Sequence, residues 1–264
     1  MKRILFQSYF WAFILIFIVK NNNLAAQNNL VLRESYDIDK IQTIELSLKY
    51  EDIKIESIQG QNVILEIDSN NSKLLPEIQL SDKKLLVKQE SWDFSRGDRC
   101  LLAIYLPANQ EINSLKIKNL YGNISLKNIN SQNSVEIQSD NSQIEIKALT
   151  SDYFALEVGN CPPVKLNNFS VNYFNISGTH ADFDLNLLHA PLAQSFIHSK
   201  FGKINLSIPK SDNFELQTFS TKSYITNKFT NSKSQSKDFT SYIHNQGGPV
   251  IKIQTFEGDI TITQ

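Results

Sequence analysis

One phrase, repeated along the second half of the chain, limits what the chain can fold into. Residues 115–126, 135–146, 174–185, 195–206 and 251–262 can be laid over one another. Each reads apolar-x-apolar, a short polar or glycine turn, then apolar-x-apolar, and only Ser195 breaks the pattern. Self-similarity at a spacing of about 20 residues marks a stacked repeat. A single such unit leaves its apolar side chains in water, whereas stacked units bury them in one continuous core. The expected fold class is all-β: a parallel β-solenoid, single-stranded and β-helix-like, with rungs of about 20 residues and little or no helix.

Aligning the phrases sets side chains in vertical files. Ile117, Ile137, Leu156, Ile176, Ile197 and Ile253 fall at one inward position. A second file holds Ile124, Ile144, Val164, Phe183, Ile204 and Ile260, and a third holds Leu126, Ile146, Leu166, Leu185, Leu206 and Ile262. Glu145, Lys165 and Asp184 become successive neighbours at an outward position, where opposite charges on adjacent strands support the register. Glycine is scarce, so the breaks between strands lean on Asn, Ser and Asp, which tolerate left-handed backbone and bond their own backbone nearby. Residues 27–106 alternate with period two but less regularly, and read as the N-terminal part of the same solenoid with its cap. Residues 90–99 read as a longer loop, and residues 227–245 as an irregular insert within the regular stretch 107–264. The final strand, 259–263, is expected to pair within the chain rather than stand as an open edge.

The N-terminus has the form of an export signal. Lys2 and Arg3 precede an unbroken apolar run, Tyr9 to Val19, and Ala26 offers a small residue for cleavage. The run is shorter than the ~20 residues of a membrane span, and no later run is longer. The expectation is a signal peptide over 1–26, a single domain over 27–264, no integral span after cleavage, and location in the periplasm or at the cell surface. A formal net charge of −1 and scattered lysines give no basic stripe for nucleic acid. Cys100 and Cys161 are the only cysteines. An oxidising compartment permits a disulfide, but their places in the alignment lie several repeats apart, which disfavours one.

The recurring phrases Gly122-Asn-Ile-Ser-Leu, Gly202-Lys-Ile-Asn-Leu and Gly258-Asp-Ile-Thr-Ile, the strand ending at Pro107 and the closing stretch from Gly248 resemble the putative-adhesin family of bacterial β-strand-repeat proteins. The resemblance spans residues 41–264. It implies a parallel, coil-like β fold outside or across the membrane, and it brings no catalytic residues. The chain departs from such repeats in using Asn and Ser at turns and in carrying the insert at 227–245.

Few constellations carry chemistry. Arg96-Gly97-Asp98 is the tripeptide that integrins read on an exposed loop, although chance accounts for a bare match more readily. His180, Asp182 and Asp184 alternate, which on one strand would aim all three at one face, and imidazole with two carboxylates suits a divalent metal. A solvated strand face is the simpler reading, since a flat strand lacks converging further ligands. Trp92, Phe94 and Tyr121 lie at loops or turns and could stack on sugars. Acids that would serve a polysaccharide-active enzyme are scattered, and no phosphate loop, nucleophile elbow or zinc signature is present. The sequence therefore points to a non-enzymatic envelope or surface protein without cofactor, whose partner is an envelope protein, a glycan or a host surface. A periplasmic accessory module of an envelope-stress system is the alternative, and a polysaccharide-active β-helix enzyme the second.

Overall fold

The computed structural model describes residues 30–89, 94–235 and 239–264; the export-signal reading over 1–26 and Trp92 lie outside them. The described chain is all-β, broken by two short 3-10 turns at Ile38–Lys40 and Ser72–Leu74. Each rung supplies two strand segments, one to each of two walls, A and B, and the interior lies between them. On wall A the neighbours run Lys84–Lys88, Thr43–Leu48, Ile112–Tyr121, the second halves of Ile124–Asn141, Ile144–Val158 and Val164–Gly178, then Ser195–Ser199, Val250–Thr255 and Phe214–Ser220. Wall B runs Cys100–Pro107, Asp52–Ile58, the first halves of the same three long strands, Phe183–Leu187, Ile204–Ser207, Ile260–Thr263 and Ile225–Asn227. All of these pairings are parallel, which gives the described chain its solenoid-like form.

The files fall where the alignment put them. Ile117 pairs with Ile137, Ile137 with Leu156, Leu156 with Ile176, Ile176 with Ile197, and Ile197 with Ile253. On wall B, Leu126, Ile146, Leu166, Leu185, Leu206 and Ile262 form one unbroken chain of partners. Every one of these side chains is buried. Burying a large aliphatic side chain contributes roughly 1.5–3 kcal/mol, so the files dominate what holds rung to rung. Glu145, Lys165 and Asp184 are register neighbours on the outside. Ser195, a polar residue at an inward position, is fully buried; its hydroxyl accepts from the Phe174 N–H and donates to the Ala193 carbonyl. One lone pair and the proton thus find partners inside an apolar file.

Spatial order departs from chain order at both ends. Near the N-terminus, Thr43–Leu48 and Asp52–Ile58 lie between the rung of residues 84–107 and the rung that begins at Ile112. Near the C-terminus, Val250–Thr255 and Ile260–Thr263 slot between the 195–207 rung and the 214–227 rung. The last strand of the chain is therefore paired on both sides, as the expectation of internal pairing required. Antiparallel segments close the stack: Glu77–Ser81 and Asn62–Ser69 at one end, the latter covered by Leu30–Asp37, and Thr240–His244 and Ser232–Ser234 at the other. The insert at 227–245 is thus not wholly irregular. Its described residues supply two cap strands, because an antiparallel hairpin ends a parallel ladder without another long crossover.

The corner from wall B to wall A shows the turn chemistry. Asn128, Ala148 and Asn168 stand one rung apart, all left-handed, at φ of 54°, 59° and 55°. The strands pass through this corner without losing their pairing on either side. Asn suits that conformation because its amide can bond locally; Ala has no such recourse.

Candidate binding site

The opposite corner, from wall A to wall B, carries most of the chemistry. Its inner lining is a column of buried hydroxyls and amides at the ends of the wall A strands. Asn119 donates to the Glu51 carbonyl at 2.9 Å, Ser199 to the Ala181 carbonyl at 2.9 Å and Thr255 to the Gly202 carbonyl at 3.4 Å, while Ser139 bonds Ser142. Backbone carbonyls that a tight turn would leave unpaired inside the protein are satisfied in this way. The corners also press closely together. A Cβ on Gly122 would collide with the Glu51 carbonyl, one on Gly202 with the Ala181 carbonyl, and one on Gly258 with the Gly202 carbonyl. The glycines of the repeated phrase are there for this approach, and Gly122 also has a φ of +91°.

A second device recurs where the wall B strands begin. Asp52 accepts from the Asn123 N–H at 2.7 Å, Asp182 from the Lys203 N–H at 2.7 Å and Asp259 from the Tyr224 N–H at 3.0 Å. In each case a carboxylate reaches across to the backbone of the neighbouring rung. Asp182 is therefore a corner clasp. His180 sits in the turn and stacks on Phe201, with ring centroids 4.7 Å apart, and only Asp184 lies within a strand. The expectation that the three share one strand face is corrected, because the chain does not enter the strand until Phe183. Among the described residues no three His, Cys, Asp or Glu side chains gather where they could hold a metal ion.

The outer side of the corner bears aromatic rings. Tyr50 is sandwiched between Phe94, at 4.5 Å and 21° between planes, and Tyr121, at 5.2 Å and 7°. With Asp52, Asp98 and Arg99 these rings line an open cleft of about 440 Å³. Phe94 is 36% exposed and Tyr121 40%. Tyr50 and Asp52 were not singled out from the sequence. The available signal was position: Tyr50 and Tyr121 each stand three residues before the first buried residue of a wall B strand, as do His180 and Phe201.

The tripeptide Arg96-Gly97-Asp98 borders this cleft. Arg96 and Gly97 are exposed, Gly97 has a φ of 97°, and Asp98 is half-buried. The Asp98 carboxylate accepts at Oδ2 from the Ser95 N–H at 2.8 Å and from the Asn71 amide at 3.0 Å. Asn70 holds the same loop from its other side, donating to the Gly97 carbonyl and accepting from the Arg99 N–H, each at 2.9 Å. Cys100, at the base, is buried, and burial with the nearby Glu51 carboxylate pushes its thiol up to about 12. Cys161 is buried and its thiol is also raised by burial. The two cysteines are unbonded; Cys100 opens the strand Cys100–Pro107 and Cys161 precedes Val164–Gly178, four ladder steps away on wall B. A thiol held protonated is a poor nucleophile.

A second depression, of about 260 Å³, lies on the flat of wall A, where Ala155 is flanked by Lys116, Glu136, Glu157 and Asn175. No helix among the described residues is long and apolar enough to cross a membrane.

The model of the family described as Toastrack DUF4097 matches residues 41–263. No curated protein is significantly similar to the chain. Among solved structures, a putative adhesin from Bacteroides fragilis is 13% identical at a TM-score of 0.44, covering 88% of this chain and 96% of its own. A putative adhesin from Parabacteroides distasonis is 10% identical at 0.45, covering 88% and 96%. A putative lipid binding protein from the same species is 9% identical at 0.40, covering 89% and 97%. At these values the likenesses carry nothing about function.

Proposed function

The chain belongs to the Toastrack DUF4097 family, and on that premise we propose that it is a non-enzymatic protein of the cell envelope or cell surface. In this reading residues 1–26 are removed on export, and residues 27–264 form one domain of coils about 20 residues long that binds a partner through its extended outer surface. The supporting observation is how the side chains are spent. Inward residues hold rung to rung, corner carboxylates such as Asp182 clasp backbone, and the polar rows of both walls are left facing solvent. The positively charged start and apolar run at Tyr9 to Val19 support export. A partner is then an envelope protein, a glycan or a host surface, and attachment through Arg96-Gly97-Asp98 is its narrowest form.

Protease shaving of intact cells tests the surface reading. Loss of the protein under shaving supports it; complete protection, with release on opening the outer membrane, moves the protein to the periplasm and favours an accessory role there. Turnover of any member of a polysaccharide panel would overturn the non-enzymatic part. Unchanged cell attachment by Asp98→Glu would remove the tripeptide from the account.

A further inference from the structure

We propose that the corner cleft of Tyr50, Phe94 and Tyr121 is a binding site for an uncharged saccharide. The inference deepens the reading of a surface binding module and concerns its ligand class, not its location. Three observations carry it. First, the aromatic stack ends in partly exposed rings. Tyr50 is covered on both faces, but among the described residues Tyr121 stacks on Tyr50 alone, and its register partner on the next rung is Asn141, which offers no ring. The C–H face of a pyranose can lie on such a ring while its hydroxyls stay wet. Second, the polar lining carries acceptors: Asp52 and Asp98 stand in the same cleft, with Arg99 beside them. Carboxylates accept from hydroxyl groups, which a polyol supplies in number. Third, the volume of about 440 Å³ falls within the range of about 300–1,000 Å³ usual for small-ligand sites.

Other ligand classes fit less well. A peptide adding a strand needs unpaired backbone, yet here Tyr121 N–H bonds the Lys49 carbonyl, Ile53 N–H bonds the Asn123 carbonyl and Asn123 N–H bonds Asp52. An anionic ligand would meet two carboxylates. A long acyl chain needs an apolar channel, and this cleft is open and edged with charge. The wall of the cleft is also fixed in place, because Asn70 and Asn71 pin the loop that carries Asp98 and Arg99. A pre-set polar wall beside aromatic rings loses little freedom when a ligand arrives.

The test is titration of the purified protein with neutral oligosaccharides, namely maltohexaose, cellohexaose, laminarihexaose and mannohexaose, followed by calorimetry and by the ring signals of the tyrosines. The expected result is saturable binding of at least one, with Tyr121 signals shifted. Tyr121→Ala and Phe94→Ala should each weaken it by roughly 10-fold or more, and Tyr121→Phe should preserve it. Two variants guard against a folding defect in either, with the thermal midpoint as the check. Absence of binding by all four sugars, or binding that neither alanine variant weakens, overturns the proposal. Because the readout is a purified protein, its failure leaves the shaving experiment untouched, and protection from shaving leaves the saccharide site untouched.

Discussion

Replacing Ala148 with Asn should make the protein more stable, even though Ala is the smaller and ordinarily more accommodating residue. Ala148 holds a φ of 59° at the corner where Asn128 and Asn168 hold 54° and 55° on the adjacent rungs. For a residue with a Cβ the left-handed region costs about 1–2 kcal/mol, and Asn recovers part of that through local hydrogen bonding. The flanking residues are in register on both sides, Lys127 with Lys147 with Asn167 and Ile129 with Leu149 with Phe169, so the new amide would stack between two others. Ala148 is partly exposed, which leaves room for the amide. The expected gain for Ala148→Asn is about 0.5–1 kcal/mol. Ala148→Gly relieves the same strain but adds freedom to the unfolded chain, and should gain about as much or slightly less. For a chain of this size 1 kcal/mol moves the thermal midpoint by about 2–4 °C, so a rise of about 1–4 °C is expected. Thermal unfolding followed by circular dichroism, with urea midpoints alongside, reads it directly. Asn128→Ala and Asn168→Ala should shift the midpoint the other way by a similar amount. If both Ala148 variants left the midpoint unchanged or lowered it, strain at this corner would not be a real term in the stability.

Gly202→Ala should lower the urea midpoint by the equivalent of about 2 kcal/mol or more, because the new Cβ meets the Ala181 carbonyl, which the next rung holds in place; a neutral outcome would mean the corners are looser than they look. Glu56 is bonded by Lys127 at 2.5 Å and by Lys54 at 3.0 Å, and those bonds, Lys127 first, hold its carboxyl below the usual range. A depressed folded value contributes stability above the ordinary carboxylate pKa of about 4.3 and loses it as pH falls through the folded value. Glu56→Gln should therefore lower the midpoint at neutral pH, with the gap to the unchanged protein closing by about pH 3; a gap constant with pH would contradict this. Cys100 and Cys161 should react with a thiol reagent roughly 100-fold more slowly in the native protein than in urea, since both are buried and raised. Fast labelling of the native protein would show that the corner opens readily.

The regular middle of the stack was legible because its signal is local: one phrase states its own strand, turn and strand, and period-two burial fixes which side chains face in. That is why the sequence alone sets Ile117, Ile137 and Leu156 in one file. Order at the ends was not legible. Nothing in the phrase 251–262 says that it lies between 195–206 and 214–227, since its apolar residues would pack equally well at the end of the row. Asp182 illustrates a different failure. Its place in an alternating run suggested a strand, but a residue just ahead of the strand can turn its carboxylate onto the next rung's backbone. Tyr50 was missed because an aromatic residue at a strand end usually reads as cap or core; only the recurrence of Tyr121 at the same place in its rung marks it as part of an outer row.

Rungs stacked in parallel register, with the final rung inserted one place inward, define this fold. Cysteine pairs on wall B, joined by a short crosslinker, test this in one measurement. Asn205 is the register partner of Thr261, and Thr261 in turn of Thr226, so Asn205 and Thr226 lie two strands apart. Asn205→Cys with Thr261→Cys should link rapidly in the native protein, and Asn205→Cys with Thr226→Cys should not. The reverse pattern would mean that the coils follow one another in chain order, and linking of neither pair would mean that the files do not exist.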